Sequence, residues 1–125
     1  MTEATRRKHR MREVARTRHL RRLIREQRGR CYWCQQPIAS HAATRDAGRL
    51  VRATGRNLYL TNGAIVALAT IDHLLGVDLA RRRECNAREA LAAACSSCNQ
   101  GREAANRHGR PFVPPDRRSV PPGHR

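Results

Sequence analysis

A small α+β fold is predicted by three features of the sequence. Two C-x2-C pairs, Cys31/Cys34 and Cys95/Cys98, stand 60 residues apart. Between them the dipeptide Asn62-Gly63, a two-residue turn signal, joins two strand-like runs, Asn57–Thr61 and Ala64–Ile71. Ahead of both, the basic segment Thr5–Gln27 carries apolar residues at helical spacing and runs into Gly29, suited to the position just past a helix end.

The helix comes first in the chain. Met11, Val14 and Ala15 give it one weak apolar face, and Leu20, Leu23 and Ile24 a second, with Arg18 breaking the stripe between them. Its second half is expected to dock on the core, and residues 1–19 to form a basic helical arm, either phosphate-contacting or a solvated, partly frayed helix. The turn Cys31–Cys34 follows and is closed by Gln35, Gln36 and Pro37. Residues 39–47 are small and polar and read as loop, and Arg49–Ala53 has strand character. After the hairpin, residues 74–88 read as a loop containing Arg81, Arg82 and Arg83. Leu91–Ala94 is a short apolar piece whose alanines leave strand and helix both open. Asn99–His108 reads as a helix stopping at Gly109. Residues 20–108 thus make the central domain, and 109–125, with five prolines in 17 residues, a flexible tail that Phe112 can pin to it.

Aromatic residues are 3% of the 125, so any core is aliphatic and thin, and a core of that kind needs a staple. The cysteines supply one. Each C-x2-C turn aims two thiolates at one centre, and two turns complete a tetrahedral four-thiolate zinc site. A knuckle at one end, a helix N-terminus at the other and a hairpin between them describe a treble clef. Four protein ligands leave no open position, so this zinc, held by Cys31, Cys34, Cys95 and Cys98, is structural. Cys85 is left over as a spare thiol. No apolar run approaches the roughly 20 residues of a membrane span, and no apolar stretch follows the basic N-terminus as in an export signal. A reducing cytoplasm is therefore the expected location, where paired cysteines hold metal rather than disulfides.

Lysine and arginine total 26 against 10 acidic residues, a net charge of +16. That is the footprint of a polyanion binder, with double-stranded DNA the expected partner and binding that weakens steeply with salt. Nothing in the sequence decides between monomer and homodimer.

One further detail stands out. The apolar run Ala64–Ile71 is followed at once by Asp72 and His73, and Asn99 follows the last cysteine directly. This order, C-x2-C, Asp-His, C-x2-C-Asn, resembles that of HNH (His-Me finger, ββα-metal) endonucleases whose last motif residue is asparagine. The matching segments, Leu23–Ile38 and Ala69–Gly101, cover about two-fifths of the chain. The resemblance implies a DNA endonuclease in which His73 is the general base while Asp72 and Asn99 hold Mg2+ or another divalent ion. A histidine titrates near neutral pH, which suits a base, and a hard ion suits phosphate oxygens. It further implies that the strand ends at Asp72, since neighbouring strand residues otherwise face opposite ways. The family's middle asparagine, which orients the base, aligns with Ala90; Asn86, one helical turn upstream, is the candidate for that role, with Glu89 also close. Arg81, Arg82, Arg83 and Arg102 are candidate phosphate contacts. Trp33 can cover the zinc or stack on a base; His41, His108 and His124 read as solvated. The segment Ser40–Gly55 exceeds the family's usual connection and is either a substrate-contacting elaboration or a surface loop. The alternative to an enzyme is a treble-clef module that binds nucleic acid without cutting it.

Overall fold

The structure is a computed structural model describing residues 2–45, 47–49, 58–61, 63–74 and 88–118. Asn86, Cys85, Arg81–Arg83 and His124 lie outside them. The elements are α1 (Glu3–Glu26), β1 (Ile38–Ala39), a single helical turn α2 (His41–Thr44), β2 (Gly48–Arg49), β3 (Leu58–Thr61), β4 (Ala64–His73), a 3-10 turn (Arg88–Ala90), β5 (Leu91–Cys95) and α3 (Ser96–Arg107). No helix among the described residues is long and apolar enough to cross a membrane.

The small α+β architecture is as expected. α1 begins under Thr2, whose hydroxyl accepts from Thr5 N–H, and it unwinds through Arg28 and Gly29 at φ 58° and 75°. Most of its length is exposed, and only the last turns, through Leu20, Leu23 and Ile24, reach the core. The hairpin turns at Gly63, φ 78°, where a side chain would be strained. Its register runs from Thr61↔Ala64 to Leu58↔Ala67. Residues 39–47, read as loop, instead carry the end of β1, which pairs parallel with β4 (Ile38↔Ala67), and α2, capped by the Ser40 hydroxyl.

β4 is the spine of the mixed sheet. Its first residues pair with β3, Ala67 and Leu68 with β1, and Ala69–His73 with β5 in antiparallel register (Asp72↔Ala92, His73↔Leu91). The strand thus continues through His73 rather than ending at Asp72, because β5 offers partners for both residues. β5, left open by its alanines, is a strand buried at every position. α1 and α3 both pack on it, and only small side chains leave room for that. Gln27 locks the arrangement: its side-chain amide donates to Ala93 C=O and accepts from Ala93 N–H, both at 2.8 Å. Among the described residues the large aliphatics buried in the core are few (Leu23, Ile38, Leu58, Val66, Leu91), and the largest side chains buried completely are Cys31, Cys34, Cys95 and Cys98.

Candidate metal centre and active site

The first pair of cysteines sits on a tight knuckle after α1. Cys31 N–H bonds Gln36 C=O at 2.8 Å, and Gln35 takes a left-handed φ of 65° to turn the chain back. The second pair spans the end of β5 and the first turn of α3, so the sheet and a helix N-terminus aim Cys95 and Cys98 at the knuckle. All four sulfurs lie within 4.8 Å of one another, and all four residues are buried. Cys34 and Cys95 are separated by 3.8 Å. Zn–S bonds of about 2.3 Å place the sulfurs of a tetrahedron about 3.8 Å apart, whereas a disulfide needs about 2.05 Å. The cluster therefore fits a tetrahedral metal such as zinc. Backbone N–H groups of Trp33 and Cys95 point at Cys31 Sγ, each at 3.4 Å, as donors to a thiolate. Hydrogen bonds from Cys31, Cys95 and Cys98 hold the Cys34 thiol far below its ordinary range, while hydrogen bonds with Cys31, Cys34 and Cys95 push Cys98 up. Negative charge in this nest is also met by the tail. Arg117 points its guanidinium at the Cys95 and Cys98 sulfurs (3.8 and 3.7 Å), and its backbone N–H bonds Cys34 C=O at 2.7 Å. Burial works against the Arg117 charge, yet the interaction with Cys34 keeps it raised above its usual value.

The tail makes contacts with the domain as far as Arg118. Phe112 stands edge-on to Trp33, with ring centroids 5.6 Å apart, and also fills the space beside Gly101. Trp33 neither shields the metal alone nor lies open to a base. Its indole N–H donates to Asp72 Oδ2 at 2.7 Å, and the Arg102 guanidinium lies 4.7 Å above its ring centre.

Asp72, His73 and Asn99 are brought together around one open cavity of about 490 Å³, whose walls also include Arg102 and Glu103. Alternation along β4 turns Thr70 and Asp72 toward α3: Asn99 Nδ2 donates to Thr70 Oγ1 at 3.1 Å, and Asp72 is 3% exposed against the knuckle and Arg102. His73 also lines a second cavity of about 730 Å³, shared with Arg16, His19, Leu20 and His41. His41, on the helical turn α2, is exposed and also walls the pocket beside His73, and His108 is exposed.

Arg102, a candidate phosphate contact, bonds Asp72 Oδ1 at 2.5 Å. Both Asp72 oxygens are consequently engaged, one by a full positive charge. Ala90, which aligns with the orienting asparagine, is 5% exposed and its carbonyl accepts from Leu74 N–H at 2.9 Å, while Asn86 lies outside the described residues. Gln27 and Arg117 had no sequence signal, since each acts through one side chain on residues 19 or more positions away.

Compared with protein-family models, curated proteins and solved structures, the chain matches none of them.

Proposed function

We propose that this protein is an HNH-type endonuclease on a zinc-stapled treble-clef scaffold, cutting DNA with His73 as general base. The observation that carries the reading is the convergence of Asp72, His73 and Asn99 on one cavity beside the cysteine cluster, in a chain of net charge +16. In this reading the four cysteines hold zinc and do no chemistry themselves; the metal fixes the knuckle, β5 and the start of α3, and so fixes Asn99 against β4. His73 stands where a nucleic-acid backbone can reach it from the larger cavity, whose polar wall residues are Arg16, Thr17, His19, Ser40, His41 and Thr70, with no carboxylate among the described residues that line it. A neutral imidazole there takes a proton from water as its oxygen bonds phosphorus and one ester oxygen leaves. Arg16 and the rest of the basic α1 arm supply positive charge to the phosphates along that approach.

A second reading is favoured by one observation. Asp72 is held by Arg102 and Trp33 as a buried structural pair, which is what a module that binds nucleic acid without cutting it would display. Supercoiled plasmid incubated with zinc-loaded protein in Mg2+, in Mn2+ and in chelator decides between them. The nuclease reading expects nicking that His73→Ala reduces by about 100-fold or more, in line with loss of a general base. Nicking at full rate in His73→Ala refutes the mechanism, and tight binding with no nicking under any condition establishes the second reading.

A further inference from the structure

The Asp72 carboxylate, the backbone carbonyls of His73 and Leu74 and the Trp33 ring all converge on one guanidinium. Arg102 reaches Asp72 Oδ1 at 2.5 Å, His73 C=O at 3.4 Å and Leu74 C=O at 3.2 Å. The ion pair is enclosed, with 13% of the Arg102 side chain and 5% of the Asp72 side chain exposed. The second carboxylate oxygen is taken by the Trp33 N–H. Three oxygens facing the two terminal nitrogens of one guanidinium make a hard, negatively polarised nest, the donor chemistry that divalent ions such as Mg2+ and Mn2+ prefer. Here the nest is filled by a charged side chain, one that is planar, always protonated and able to satisfy several acceptors at once.

We infer that Arg102 is the resident cation of this site: it occupies the place a divalent ion would take at Asp72, so Asp72 is no metal ligand in this chain. This assignment goes beyond the nuclease reading, since it holds whether or not DNA is cut. Its corollary is specific. Removing the guanidinium while keeping the bulk takes the positive charge from Asp72 Oδ1 and leaves beside it an opening that Mn2+ can enter. Restoring a positive charge by a lysine closes it again.

The test is a Mn2+ titration of the full zinc-loaded chain, read by the electron paramagnetic resonance signal of the free ion. Four proteins are compared: the wild type, Asp72→Asn, Arg102→Met and the double variant Asp72→Asn/Arg102→Met. Asp72→Asn keeps the shape and the acceptor facing Trp33, and far-UV circular dichroism verifies that each protein is folded. The expected result is that wild type and Asp72→Asn bind Mn2+ identically, any weak binding belonging to other carboxylates such as Glu103. Arg102→Met gains a site at least tenfold tighter, and the double variant loses it. Mn2+ binding by the wild type that Asp72→Asn weakens tenfold or more overturns the proposal, and this comparison stands even if Arg102→Met does not fold. A folded Arg102→Met with no gain overturns it equally. Absence of plasmid nicking would sink the nuclease reading while leaving the outcome of the titration unchanged.

Discussion

Withdrawing zinc from the four cysteines is expected to unfold the domain rather than to loosen one corner of it. The large buried aliphatics are Leu23, Ile38, Leu58, Val66 and Leu91, and at about 1.5–3 kcal/mol each their burial stabilises the fold by roughly 8–15 kcal/mol before any entropy is set against it. A four-thiolate zinc site contributes about 10–16 kcal/mol of apparent binding free energy at neutral pH, as much as that entire aliphatic core. Net stabilities of small domains are only about 5–15 kcal/mol, so the metal-free chain falls below zero. The assay is a titration with a strong zinc chelator, followed by near-UV circular dichroism and Trp33 emission, with metal release measured in parallel by a colorimetric indicator. Trp33 is the natural reporter because it sits within the knuckle, is bonded to Asp72 and is stacked under Arg102. The near-UV signal should collapse and the emission shift to the red in step with metal release. Complete release with both signals unchanged would overturn this account of the core.

Gln27→Ala should cost about 1–3 kcal/mol, because it strips the partner from the Ala93 N–H in a fully buried strand; urea unfolding of the zinc-loaded protein measures it, and an unchanged midpoint counts against the account of how α1 docks. Arg117→Ala removes a charged donor from the Cys95 and Cys98 sulfurs, worth about 1.5–3 kcal/mol, so zinc should pass to a competing chelator at least tenfold more readily, as read by the chelator's absorbance. On the nucleic-acid reading, deleting residues 2–18, which carry Arg6, Arg7, Lys8, Arg10, Arg12, Arg16 and Arg18, should flatten the plot of log affinity against log salt by about 0.9 for each phosphate no longer neutralised. A slope that changes by less than about one unit in fluorescence anisotropy would show that the arm is only a solvated helix.

Local signals were readable where the chemistry is local. The hairpin follows from Asn62-Gly63 between β-formers, and α1 from its helical spacing with Gly29 beyond it. The meeting of the cysteines across the sheet follows from the two C-x2-C turns, each of which aims two thiols at one centre. Other features depend on partners distant in the chain. Leu91–Ala94 is a strand because β4 and two helices claim it, a tertiary decision that alanine leaves open. Asp72 reads as a ligand from the order of motifs around it; its partners in the structure, Trp33 and Arg102, lie 39 and 30 positions away and leave no local signal. The tail has no periodicity to read, and it is held by one aromatic edge contact and one arginine on sulfur.

The register of the sheet has a consequence for how such a domain can diversify. Ile38 and Leu58 pair with the same residue, Ala67, from opposite sides of β4. Two strands flanking a third stand only about 10 Å apart, so the segment between Ile38 and Leu58 begins and ends on the same stretch of β4. Lengthening a segment with ends anchored this closely costs little, about 0.6 kcal/mol for each doubling. Its two ends are anchored in the core cluster that also contains the four cysteines, and Ser40 and His41 just beyond the first end wall the cavity beside His73. A lineage, or an engineer, that lengthens this stretch therefore grafts a new recognition element next to His73 while the anchored strands stay in register.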